Sequence, residues 1–134
     1  MANPPLSDDP TIAPSAQLWR RLHPSWVVPD ENAGQPRISS AAFDDSRDGS
    51  PLSVLIADVV ADSGRLIHDV LAPFPGYGIA AMTAADARAA RQGVARTPEP
   101  DEPAHGSVFG PKTGATKKAM ARAARLLVRP ALSS

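Results

Sequence analysis

Three histidines, His23, His68 and His105, are the side chains in this chain best suited to moving protons near neutral pH. His23 and His105 each stand at the mouth of an apolar segment, beside proline or small residues. His68 follows Ile67 on the outer side of a predicted helix, next to Asp69, and reads as solvated. With Ser39, Ser40 or Ser53, either of the first two can form a Ser–His pair in which the imidazole takes the hydroxyl proton. None of these serines stands in the G-x-S-x-G turn that presents a nucleophile in α/β-hydrolases. The chain has no cysteine, which excludes disulfides, thiolate metal sites and cysteine nucleophiles. The histidines have no metal-ligand spacing, so neither a metal nor a cofactor is expected.

Two further motifs fall short of their chemistry. Gly106-Ser-Val-Phe-Gly-Pro-Lys112-Thr113 follows the phosphate-binding pattern G-x-x-x-x-G-K-[ST] except that Pro111 stands in place of the second glycine. Proline has no N–H to offer a phosphate and cannot take positive φ. Asp44-Asp-Ser46-Arg-Asp48-Gly49 begins like a calcium loop, but Leu55 occupies the twelfth position, where a bidentate Glu is needed. A polar turn is the expectation there.

Charge is the most directional feature. The formal net charge is zero, yet all 14 acids lie at or before Glu102, so residues 111–134 carry 6 basic groups and no acid. A helix capped by Thr113 or Thr116 and running to about Val128 would align Lys118, Arg122, Arg125 and Arg129 on one side, with Ala119, Met120, Ala123, Leu126 and Leu127 opposite. Such a stripe suits an acidic protein partner and, less well, nucleic acid, since no aromatic platform lies near it.

A second constellation collects at strand starts: Arg20 or Arg21 with His23, then Ser39-Ser40, then His105. A basic or His residue on a first strand and a Ser/Thr pair on a later one are similar to the layout of ADP-ribosyltransferase-like domains. That resemblance implies that Arg20, His23, Ser39, Ser40 and His105 hold the nicotinamide-side ribose and phosphates of NAD. Those enzymes also place a catalytic Glu late in the fold; here the late glutamates are Glu99 and Glu102, both in a proline-rich loop. The segments RLHPSWVVPDENAGQPRISSAAF and PAHGSVFG also resemble those of small bacterial proteins, a resemblance that implies no activity.

The elements that position these residues are short. Leu, Ile, Val and Phe total 27, about 20% of the chain, and fifteen prolines with nine glycines imply many loops. Residues 1–15 read as a disordered tail, Ala16–His23 as a short helix and Ser25–Val28 as a strand. A polar loop over 30–37 leads to a second strand opening at Ser39-Ser40. Leu52–Val60 is the most apolar run and reads as a buried strand, followed by a Ser63-capped helix over 64–72 that Pro73 stops. Gly78–Met82 reads as a strand, Thr83–Asp86 as a capping box opening a helix over 84–92, and Val94–Thr97 and Ala104–Phe109 as strands.

Together these predict one α+β domain over about 16–130, with a mixed or antiparallel sheet packed by short helices and an amphipathic C-terminal helix, and residues 131–134 as a tail. No stretch approaches the ~18–20 apolar residues of a membrane span, and the N-terminus has neither the basic start nor the apolar run of a signal peptide. The expected role is a cytoplasmic bacterial accessory protein that binds a partner protein through Lys118, Arg122, Arg125 and Arg129. The alternatives are a small nucleotide-using enzyme built on Arg20, His23, Ser39, Ser40 and His105, and a nucleic-acid-binding accessory protein.

Overall fold

The computed structural model describes residues 6–30 and 35–131. The chain forms a six-stranded sheet, antiparallel throughout, in the order β6-β7-β4-β1-β5-β8. Its strands are β1 (Gln17–Leu22), β4 (Leu52–Ile56), β5 (Gly78–Thr83), β6 (Gly93–Arg96), β7 (His105–Phe109) and β8 (Arg125–Val128). A separate hairpin pairs β2 (Val27–Asp30) with β3 (Gln35–Ile38). The helices are α1 (Ala57–Asp62), α2 (Ala84–Ala89) and α3 (Gly114–Ala123), with 3-10 turns at Pro24–Trp26, Ser40–Phe43 and Ile67–Leu71. This is the expected α+β class.

Period-two alternation sorts the side chains onto two faces. On one, Leu18, Leu22, Val54, Ile56, Ala80, Met82, Val94 and Val108 pack under Ala42, Phe43, Ala84, Ala87 and Met120 to make the main core. On the other, Leu55 and Ile79 pack with Val60, Val70 and Ala104 in a smaller cluster beneath α1 and the Ile67–Leu71 turn. Among the described residues no helix is long and apolar enough to cross a membrane.

Several elements differ from expectation. Ala16–His23 is not a helix: Leu18 and Leu22 are four apart, a spacing that satisfies both the helical and the strand period. The arbiter is β5, against which all six residues of β1 pair. Residues 6–15 are not a tail. Ile12 is buried at 1% exposure, Asp9 N–H donates to Val94 O, and Asp8 accepts from both Arg88 and Val94 N–H. Residues 1–5, the loop at 31–34 and residues 132–134 of the expected C-terminal tail lie outside the described residues, while Ala131 N–H donates to Gly76 O. The apolar run Leu52–Val60 is a strand only to Ile56 and turns helical at Ala57; Ser63 closes α1 instead of opening a helix, and only the 3-10 turn Ile67–Leu71 follows. Ser39 does not open a strand; its hydroxyl accepts from Ala41 N–H and caps the Ser40–Phe43 turn. The capping box of α2 is as expected, with Thr83 and Asp86 exchanging bonds.

The largest correction concerns the last helix. Thr113 caps α3, but the helix stops at Ala123, and Arg125–Val128 becomes the edge strand β8 on β5. Residues 125–128 read R-L-L-V, and because a bulge inserts Leu127 between the residues paired to Ala80 and Ile79, Leu126 joins the main core and Val128 the smaller cluster on the other face. Pairing also occupies the edge of β5. Both gains outweigh one more helical turn. The same bulge leaves Leu127 exposed.

Candidate functional site

The ladder between β1 and β4 holds two pairs, Leu18 opposite Ile56 and Trp19 opposite Leu55. Beyond them pairing stops, and a cleft of about 220 Å³ opens, lined by Trp19, Arg20 and Arg21 from β1, Ser53, Val54 and Leu55 from β4, and Trp26, Phe74, Tyr77 and His105. Trp19, Trp26, Phe74 and Tyr77 are four of the six aromatic residues in the chain. Aromatic faces gathered in an open concavity are able to stack a planar group.

Arg20 crosses the parting. Its Nε donates to Ala42 O at 2.8 Å and its Nη1 to Ser53 O at 3.2 Å, and its guanidinium lies over the Trp26 ring, 5.0 Å from the centroid. None of the ion pairs among the described residues includes it. Burial pushes its pKa down to about 10, with neighbouring Arg21 adding to the effect and Tyr77 opposing it. Burying a cation without a counter-charge is costly, and the two carbonyls offset only part of that cost.

Arg21 lies over Phe74, 4.4 Å from the ring centroid, and its Nε donates to Val70 O at 2.8 Å. Its counter-charge is shared: Glu102 stands 3.8 Å away but grips Arg65 through two bonds of 2.9 and 2.7 Å. That bidentate bond from Arg65 holds the Glu102 carboxyl below the usual carboxylate range.

At the β7 side of the cleft, His105 Nε2 lies 3.1 Å from Ser53 Oγ, while His105 Nδ1 lies 2.9 Å from Thr97 O and 2.8 Å from Thr97 Oγ1. A carbonyl only accepts, so Nδ1 carries the proton and Nε2 presents its lone pair to the Ser53 hydroxyl. His23 has the opposite tautomer. Its Nδ1 accepts from Ser25 N–H, so the ring caps the Pro24–Trp26 turn and meets Tyr77 edge-on at 5.4 Å.

Of the expected nucleotide-site residues, Arg20 and His105 therefore share the cleft and His23 stands at its aromatic rim. Ser39 and Ser40 do not join them. They line a separate hollow of about 570 Å³ with Arg37, Ile38, Lys118, Ala121 and Arg122. Of the late glutamates, Glu99 Oε1 lies 3.9 Å from His105 Nε2, whereas Glu102 is held by Arg65. The predicted basic stripe is also divided. Lys118 and Arg122 remain one turn apart on α3, but Arg125 lies on β8 and Arg129 beyond it, because the chain turns extended at Ala124. In the phosphate-loop-like segment, Lys112 Nζ donates to Val108 O and Gly110 O and pairs with Asp45 at 2.8 Å, with its side chain 4% exposed, so it is a structural tie. In the calcium-like turn, Asp45 accepts from Leu52 N–H and Asp48 from Ser50 N–H. No metal-holding cluster occurs among the described residues.

Ser53 is one of three serine candidates in the sequence, whereas Trp26, Phe74, Tyr77 and the Thr97 carbonyl join the site only through the fold. The adjacent Arg20-Arg21 pair carried one usable signal: in a strand, consecutive cations point to opposite faces, so one must enter the fold. Compared with protein-family models, with curated proteins and with solved structures, the chain matches none.

Proposed function

We propose that the protein binds a small anion carrying a planar or aromatic group, a carboxylate or a phosphate monoester, in the cleft between β1 and β4. The observation that carries this is Arg20, a cation drawn into an aromatic-lined cleft with no carboxylate paired to it among the described residues. An incoming anion supplies the missing charge, and the rings at the rim supply a stacking surface. The volume suits a ligand of one ring, or the charged end of a larger one. Each charge-assisted hydrogen bond contributes about 1.5–3 kcal/mol, or roughly 10- to 150-fold in affinity.

Titration calorimetry on the full chain with benzoate, adenosine monophosphate and inorganic phosphate tests this. A planar anion is expected to bind more tightly than phosphate, and Arg20→Met to lose that binding by at least about tenfold. Absence of binding by all three, or equal affinity in Arg20→Met, overturns the reading.

A second reading is carried by the hollow beside α3. There Lys118 and Arg122, with Ser39 and Ser40, face an acidic partner protein, and the chain serves as an accessory protein in the bacterial cytoplasm. Charge reversal at Lys118 and Arg122 then abolishes partner capture from native lysate; unchanged capture removes this reading. Nuclease treatment and a salt series distinguish a nucleic-acid partner, whose binding falls steeply with salt.

A further inference from the structure

We propose that Ser53 is a nucleophile activated by His105, and that the cleft acylates it with an ester of a small anionic acid. This rests on the cleft being the ligand site and adds a reaction to it. A hydroxyl within reach of an imidazole is common between neighbouring strands, so the arrangement around the pair carries the argument. The Thr97 carbonyl, 2.9 Å from Nδ1, fixes the tautomer in which Nε2 can only accept, and the Ser53 hydroxyl lies 3.1 Å from that lone pair. Both side chains line the same cleft as the two guanidiniums. His105 is 18% exposed, which lets a substrate reach the pair while bulk water is largely held off. Glu99 Oε1, 3.9 Å from Nε2, is a carboxylate available to offset the imidazolium as it forms.

The step balances with water as the only co-reactant. Ser53 Oγ attacks the ester carbonyl carbon and its proton passes to His105 Nε2. The carbonyl oxygen becomes an oxyanion, for which Arg20 and Arg21 are the charges lining the cleft. As the carbonyl re-forms, the bond to the leaving alkoxide breaks, and His105 returns the proton to give the free alcohol and an acyl-Ser53 ester. Water then attacks that ester, giving one proton to His105. Collapse releases the carboxylic acid and restores the Ser53 hydroxyl.

Treatment with a fluorophosphonate probe, read by intact-protein and peptide mass spectrometry, tests the proposal on the full chain. A single adduct on Ser53 is expected, absent in Ser53→Ala and formed at least about 100-fold more slowly in His105→Gln. No adduct on Ser53, or the same labelling rate in His105→Gln, overturns it. A second variant covers misfolding: Ser53→Cys places a thiol beside the imidazole, and its alkylation by iodoacetamide is expected to be at least about tenfold faster than in Ser53→Cys/His105→Gln. Equal rates overturn the proposal as well. The anion titration in Ser53→Ala separates the two conclusions. If Ser53→Ala binds benzoate while wild-type Ser53 takes no label, the nucleophile fails and the binding cleft stands.

Discussion

Arg20 lies with its guanidinium over the ring of Trp26, 5.0 Å from the centroid, and with its Nε 2.8 Å from the carbonyl of Ala42. The strand places it on the same face as Leu18 and Leu22, both fully buried, at a position where an apolar residue would pack without cost. Its charge is instead turned into the parting between β1 and β4. A cation kept there costs stability, and the proposed anion binding would account for that cost.

Arg20→Met therefore separates stability from binding. Methionine keeps most of the stem volume and removes the desolvated charge, but it leaves the Ala42 and Ser53 carbonyls without their donor. These effects oppose each other, so unfolding free energy is expected to change by less than about 2 kcal/mol while anion binding is lost. Urea denaturation of both proteins checks this. A loss of 4 kcal/mol or more, on the order of a broken buried network, would make Arg20 a structural residue.

The N-terminal segment is predicted to be a working part of the core. Ile12 is 1% exposed, and Ile12→Ala is expected to cost about 2–5 kcal/mol. Arg88→Ala cuts the ties to Asp8 and Asp9 O, so residues 6–11 should become more susceptible to limited proteolysis. A neutral Ile12→Ala would return this segment to the status of a tail.

Acid should weaken the loop that carries Glu102. Its carboxyl is held below the ordinary 4.5 chiefly by the hydrogen bonds from Arg65, so its folded pKa is depressed. A depressed carboxylate contributes stability that is present above its unfolded pKa and lost as pH falls through the folded one. Glu102→Gln is thus expected to be less stable than wild type at pH 7, with the gap narrowing below about pH 4.5. Thermal midpoints measured from pH 7 to pH 3 read this directly. A gap that stays constant would mean that the ion pair with Arg65 contributes nothing. The same substitution frees Arg21 of the one carboxylate paired with it among the described residues, so benzoate affinity should rise severalfold.

What the amino-acid sequence determined by itself was local. The Thr83–Asp86 box, a helix cap at Thr113 or Thr116 and the strand Gly78–Met82 all follow from side chains within a few residues of one another, where local backbone hydrogen bonding decides the outcome. The tertiary structure decided what those rules leave degenerate. Leu18 and Leu22 fit a helix or a strand equally, and only pairing with β5 resolves them. Residues 125–128 can continue α3 or close the sheet, and the vacant edge of β5 draws them into the sheet. The cleft itself was not legible, because it arises where two strands 33 residues apart stop pairing and Arg20 reaches Ser53 across the gap. Ser53 and His105 were both visible as candidates, but their partnership spans 52 residues and depends on register. A one-residue slip of β4 against β7 would put Ser53 on the core face, and no pattern in the chain names that register before the sheet is built.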